Sequence, residues 1–245
     1  MNDLVLYQFE LCPYCHKVRA GLELKGLSYR RVEVNPISKR ELDHLPPSSD
    51  GRRRVPVLEY KGEARGESSD ILRWLDQVAP GDRPLHPLDP DQLDRANEID
   101  AWLDNDLIKI LPTVLYGTWS ESIRAAKLTA KTSNFSRIDN LKVGVFGSII
   151  MKTIAKRILR KRGGGKTGLE LFHAELTRLE TWLADSDFLG DDAPHFADAG
   201  VHGALTCVRQ FPAFEHVRAR PKLEAWYERV DALRRTVHPA SETSA

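Results

Sequence analysis

Hydrophobic and polar positions change their period partway along the chain. Leu4-Val5-Leu6-Tyr7 is a short unbroken apolar run and reads as a strand, after which Val18 and Leu22 share one helical face until Gly26 ends the pattern. Val32 and Val34 alternate with Arg31 and Glu33, which predicts a second strand over 29–34 with one face wet, stopped by Asn35-Pro36. A short polar helix is expected over 38–45, broken by Pro46-Pro47, and a Ser-, Gly- and Arg-rich loop fills 48–54. Val55-Pro56-Val57-Leu58 is strand-like. Its proline cannot donate to a ladder, so it belongs at an edge or at the first residue, where the cis form is open to it. Ile71-Leu72-Arg73-Trp74-Leu75 continues as an amphipathic helix.

Past the stretch 80–90, rich in proline and glycine, only helical spacing is left. Leu93, Ala96, Ile99, Leu103 and Leu107 recur with it, as do Leu169, Phe172, Leu176, Leu179 and Leu183. Pro194 with Asp198 opens a helix carrying Val201, Leu205 and Val208, and Pro221 opens a last one through Leu223, Trp226 and Val230. The expected organisation is an α/β domain over 1–80, a linker over 81–91, an all-helical domain over 92–239 and a flexible tail over 240–245. Val143, Phe146, Ile150, Ile154 and Ile158 make one further stripe, read as a core helix with a solvated basic face. Lys152, Lys156, Arg157, Arg160, Lys161, Arg162 and Lys166 accompany it, and no acid stands between Asn140 and Leu169. The alternative for this stretch, 143–162, is peripheral contact with a membrane or with anionic ligands.

Composition narrows the classes. The 245 residues are 41% hydrophobic and 29% charged with a net charge of +1, ordinary for a globular chain and against a chain-wide nucleic-acid role. Neither a secretory leader nor a membrane span is visible, and three cysteines fit a reducing compartment, so a cytoplasmic location is expected. Gly163-Gly164-Gly165-Lys166-Thr167 imitates a phosphate loop, but Arg160 stands in place of the first glycine and no strand precedes it, which excludes nucleotide binding there.

The chemistry centres on Cys12-Pro13-Tyr14-Cys15, at a strand-to-helix turn. Unpaired N–H groups and the positive end of the helix dipole favour a thiolate at Cys12, and Pro13 suits the first helical position. Cys15 lies one turn inward, close enough to close a disulfide onto Cys12. A zinc site would need a second ligand pair, and a structural disulfide would need a richer cysteine framework, so no metal is expected and a redox or thiol-binding role is the favoured reading. Cys207 sits in apolar helical context and is expected to be a buried small hydrophobe. Gly66-Glu67-Ser68-Ser69-Asp70 reads first as a helix cap, and second as a seat for a ligand carboxylate and ammonium.

A strand, a Cys-Pro-Tyr-Cys turn, a helix, a second strand, a Val-Pro strand start, a Glu-Ser helix start, a linker and then only helices resembles the glutathione transferase superfamily, with a glutaredoxin-like first half. Leu6-Tyr7-Gln8-Phe9, Lys17-Val18-Arg19-Ala20, Val32-Glu33-Val34-Asn35-Pro36, the 146–162 helix and Trp226-Tyr227-Glu228-Arg229-Val230 are similar to the soluble part of the membrane-associated prostaglandin E synthases of the second type. The resemblance implies a thioredoxin-like N-terminal domain with a mixed sheet, followed by a helical transferase-type domain. It makes glutathione the cofactor, Cys12 the thiol that meets its sulfur and Cys15 the resolving thiol. Val55 would pair with the glutathione backbone beside a cis-Pro56, Glu67 and Ser68 would hold its γ-glutamyl end, and Phe9, Pro13 and Tyr14 complete the set. Two departures stand out: Phe9 replaces the synthases' tyrosine, and His195 replaces the usual Ser, Thr or Asn cap after Pro194.

The expected function is therefore glutathione-dependent thiol transfer on mixed disulfides or glutathionyl adducts, and relatives of this kind are commonly homodimers. The alternatives are an isomerase or reductase of lipid peroxides, with an apolar pocket near Tyr116, Trp119 and Phe146 and a conceivable haem contact, or a non-catalytic glutathione-binding or membrane-docking module.

Overall fold

The computed structural model describes residues 3–47, 51–79, 81, 83–133, 135 and 137–237; the expected tail over 240–245 lies outside the described residues. The first half is a four-stranded mixed sheet with strand order β2-β1-β3-β4, formed by β1 (Leu4–Gln8), β2 (Arg30–Glu33), β3 (Val57–Tyr60) and β4 (Glu63–Gly66). β1 runs parallel to β2 and antiparallel to β3, and β3 is antiparallel to β4. The parallel pair needs a crossover, and α1 (Pro13–Leu24) supplies it. β4 was not foreseen in the sequence. The two-residue turn Lys61-Gly62, both at positive φ, closes that hairpin. The polar helix expected over 38–45 is reduced to a single 3-10 turn, Arg40–Leu42.

Strand alternation divides the apolar residues between two faces. Leu4, Leu6 and Leu58 enter the main core, while Tyr7 and Val57 join Val34, Leu42 and Leu45 in a smaller cluster on the other side. α2 (Ser68–Val78) covers the main-core face beside α1, with Ile71, Leu72 and Leu75 fully buried.

The second half is helical: α3 (Pro90–Trp102), α4 (Ile108–Leu115), α5 (Trp119–Thr132), α6 (Arg137–Arg162), α7 (Gly168–Leu183), α8 (Phe196–Cys207), α9 (Glu215–Arg218) and α10 (Pro221–Val237). A five-residue π-helical segment, Leu103–Leu107, joins α3 to α4. The main core is continuous from Leu6 and Val18 through Leu103 and Phe172 to Trp226, so the two halves bury one another. α8 is buried along almost its whole length, lying against α1. Its start is capped unusually. His195 Nδ1 accepts from Ala197 N, and Asp198 accepts from His195 N and from the indole of Trp226, so an imidazole does the work of the expected hydroxyl.

The α1–α8 crossing is close because Gly203 faces it: a Cβ there would stand 2.5 Å from the carbonyl carbon of His16 and 2.6 Å from its oxygen. Backbone cannot yield as a flexible side chain does. Gly203→Ala is therefore expected to lower the thermal unfolding midpoint by roughly 3–10 °C, measured by circular dichroism, whereas alanine at the exposed Ser120 changes it little.

Candidate active site

β1 ends at Gln8, and the chain turns through a hydrogen bond from Cys12 N to Phe9 O (3.0 Å) before Pro13 opens α1. Cys12 is half-buried at the helix start, and Cys15 is fully buried one turn in. The two thiols are driven apart. A hydrogen bond from the Cys15 side chain is the main reason the Cys12 thiol titrates below its ordinary value, with the backbone N–H groups of Cys15 and Tyr14 adding to it against the opposing effect of burial. Cys15 is pushed well up, first by burial and then by its bond to Cys12 and the charge there. The arrangement favours a thiolate at Cys12 and a protonated thiol at Cys15 beneath it.

Beside the helix start lies a cleft of about 320 Å³ lined by residues of both halves. Tyr14, Val55, Pro56, Glu67 and Ser68 all line it, so five of the residues singled out in the sequence come together there. Phe9 does not; it packs against the main core. Pro13 and Cys15 shape the turn instead of the cleft wall. The Val55–Pro56 peptide is cis, and the β1–β3 ladder ends at Tyr7↔Val57, so the Val55 main chain lies beyond it. Burial raises the Tyr14 phenol to about 12, helped by the charges of Asp104, Cys12 and Glu67.

The Glu67-Ser68 pair corrects its first reading. Glu67 does stand at the cap position of α2, but its side chain makes no capping bond, and its backbone is held at φ 57. A non-glycine residue at positive φ costs about 1–3 kcal/mol and persists where the surroundings fix it. The first N–H groups of α2 are thus left without a side-chain cap beside Ser68 and Ser69 on the cleft wall.

Ser69, from the same helix start, completes the lining with Arg54, Asp104, Asn105 and Lys109, four residues that were not foreseen. Asp104 and Asn105 belong to the π-helical segment, a distortion that no regular helical spacing announces and that recurs at functional sites. Asp104 is pushed up mainly by burial, with Lys17 opposing. The Lys17 ammonium, buried completely, donates to Ser69 Oγ (2.8 Å) and Asp100 Oδ1 (2.5 Å), with Asp104 3.4 Å away. Ser69 in turn donates to Asp100 Oδ2 (2.7 Å). Tyr116, at the end of α4, is the phenol that the second half brings within electrostatic reach of Cys12; burial chiefly raises its pKa. Trp119 and Phe146, expected to line an apolar pocket with it, are more than half exposed, because the helices carrying them turn those side chains outward. Cys207 is buried, its thiol raised by burial first.

The chain belongs to the glutathione S-transferase family: residues 6–83 match the model of its N-terminal domain and 165–233 that of its C-terminal domain, together more than half of the chain. Within this class it is similar to prostaglandin E synthase 2 of Danio rerio, 25% identical over 93% of this chain and 70% of that protein. The fold is also that of the β-etherase LigF from Sphingobium sp. (TM-score 0.66, 21% identity, 96% of this chain and 98% of that one). A transferase of Ceriporiopsis subvermispora solved in complex with glutathione is as similar (TM-score 0.65, 17% identity, 98% and 99% covered).

The thiol pair makes a pH prediction. A depressed pKa means that Cys12 is deprotonated, and reactive, from a lower pH upward. The rate of Cys12 alkylation by iodoacetamide should therefore rise with a midpoint below that of a free cysteine. Cys15→Ala removes the hydrogen bond that chiefly lowers it, so the midpoint should move upward in that variant.

Proposed function

We propose that this protein is a glutathione-dependent thiol transferase in which Cys12 is the nucleophile. The observation that supports it most is the pairing of a half-buried thiol of lowered pKa with a buried, protonated partner, beside a cleft that carries an uncapped helix start. Glutathione is a substrate in this reading. Its γ-glutamyl carboxylate fits the N–H groups and hydroxyl at Ser68, its ammonium fits Glu67, and its extended backbone fits the Val55 main chain beyond the β1–β3 ladder.

In the reaction the Cys12 thiolate attacks the glutathione sulfur of a mixed disulfide, the S–S bond breaks, and the other thiol leaves as its thiolate, to be protonated. Cys12 is then disulfide-bonded to glutathione. The thiolate of a second glutathione attacks that bond, releasing oxidised glutathione and regenerating Cys12. Cys15 offers the other exit. Once deprotonated, it attacks Cys12 sulfur, expels glutathione and leaves a Cys12–Cys15 disulfide. A conjugating transferase needs a hydroxyl beside glutathione to hold its thiolate, whereas a cysteine bonds to it covalently, so conjugation should be poor.

The likeness to prostaglandin E synthase 2 over most of the chain supports a second reading, action on lipid peroxides at the same thiol. Product analysis with a lipid endoperoxide would separate the two.

Incubating the reduced protein with oxidised glutathione should place one glutathione on Cys12, or close the Cys12–Cys15 bond, by peptide mass. Disulfide-exchange turnover should fall by roughly three orders of magnitude or more in Cys12→Ser. Ser68→Ala should raise the KM for glutathione about tenfold with little change in kcat. An unmodified Cys12 in the wild-type protein would sink the exchange mechanism.

A further inference from the structure

The long helix α6 presents to solvent the stripe that its sequence assigns to a core. Phe146 is 57% exposed, Ile149 50%, Ile150 58% and Ile154 43%. The reason lies on the opposite face. α6 packs onto α4 and α5 through Gly147, Met151 and Ala155, and a Cβ on Gly147 would come within 3.4 Å of Ala126 Cβ. Small residues let the helices approach, so the large ones are turned out.

At 3.6 residues per turn, Phe146, Ile149, Ile150, Thr153 and Ile154 fall on one arc of roughly 160° with Lys156, Arg157, Arg160 and Lys161. The arc is thus divided along the axis, with two turns of large apolar side chains and then a turn and a half of cations, about 22 Å from Phe146 to Lys161. All four of these cations are exposed, and among the described residues none of them is held by a carboxylate. The inner cations are otherwise engaged. Lys152 donates to Gly117 O (2.6 Å) and lies over the Trp119 ring, and Arg162 donates to Asn105 O (2.9 Å). Cations in the last turn of α6 also offset the helix dipole. That explains Arg160 and Lys161, but it leaves the exposed Phe146, Ile149 and Ile150 unaccounted for.

We infer that this face of α6 rests on an anionic lipid surface, with Phe146, Ile149, Ile150 and Ile154 at the headgroup–acyl boundary and Lys156, Arg157, Arg160 and Lys161 among the phosphates. Exposed apolar area beside unpaired cations is the combination that gives an interfacial helix both its insertion and its electrostatic attraction. The helix lies on the bilayer and does not enter it as a span: among the described residues no helix is long and apolar enough to cross a membrane. A second copy of this chain fits the face poorly. Parallel apposition brings the two cationic ends together, and antiparallel apposition buries the cations of each copy against the apolar turns of the other, uncompensated. The inference is independent of the thiol chemistry.

The experiment is sedimentation of the full chain with phosphatidylcholine vesicles, pure or containing phosphatidylglycerol. The protein should sediment with the phosphatidylglycerol vesicles and not with the pure ones, and added salt should release it. Arg157→Glu, Arg160→Glu and Lys161→Glu together should weaken partitioning at least about 100-fold. Phe146→Ser with Ile150→Ser should weaken it about tenfold or more. Both variants should keep the wild-type rate of Cys12 glutathionylation and a wild-type circular dichroism spectrum, and the Phe146→Ser, Ile150→Ser variant also its thermal midpoint, whereas the triple Glu variant should melt somewhat lower because it loses the cations that offset the helix dipole. A failure of lipid binding is thus separable from a failure of the thiol reaction or of folding. Absence of binding to the anionic vesicles would overturn the proposal, as would binding that either variant leaves intact. So would sedimentation velocity showing a dimer that the Phe146→Ser, Ile150→Ser variant dissociates while vesicles fail to bind.

Discussion

The buried ammonium of Lys17 is the constraint on which the site depends. An ion taken out of water costs several kcal/mol unless its charge and its donors are matched. Here the match comes from three separate elements: Ser69 on α2, Asp100 on α3, and Asp104 on the π-helical segment. Satisfying one lysine therefore fixes the helix that carries Cys12 and Cys15, the uncapped helix start beside Glu67 and Ser68, and the first helix of the second half. Each of these contributes to the same cleft or to the thiol beside it. Ser69 is committed to this network through Asp100, which leaves the neighbouring Ser68 as the hydroxyl on the cleft wall.

A second division runs through the thiols. Cys12 and Cys15 share one helix turn, yet burial is nearly complete for one and only partial for the other. The hydrogen bond between them stabilises the thiolate form of the exposed partner and the protonated form of the deep one. Depth raises one thiol, and the donors at the helix start lower the other. Phe9, which offers no phenol to the sulfur, packs against the core, and the phenols that feel the charge of Cys12 are Tyr14 on its own helix and Tyr116 on the other half of the chain.

Much of this was legible because it is written in short stretches. Cys12 to Cys15, Val55-Pro56 and Glu67-Ser68 each announce a turn or a helix start by local spacing, and the shift from strand-like to helical periods marks the two halves. What escaped is what depends on partners distant in the chain. Lys17 looks like an ordinary polar helix position until Asp100 is brought opposite it. Asp104 and Asn105 reach the cleft through an extra backbone residue in a helical turn, which leaves the apolar spacing on either side intact. For α6 the period was read correctly and the direction wrongly: Phe146, Ile150 and Ile154 do share a face, but Gly147 and Ala155 decide which face packs. Large side chains advertise burial, whereas small ones permit it.

The crossing of α1 over α8 also governs how the molecule can move. Where Gly203 meets the main chain of His16 there is backbone against backbone, with no side chain between them to act as a compressible washer. Any tilt of one half on the other must part main chain from main chain at that point, so the crossing acts as a bearing and not as a cushion.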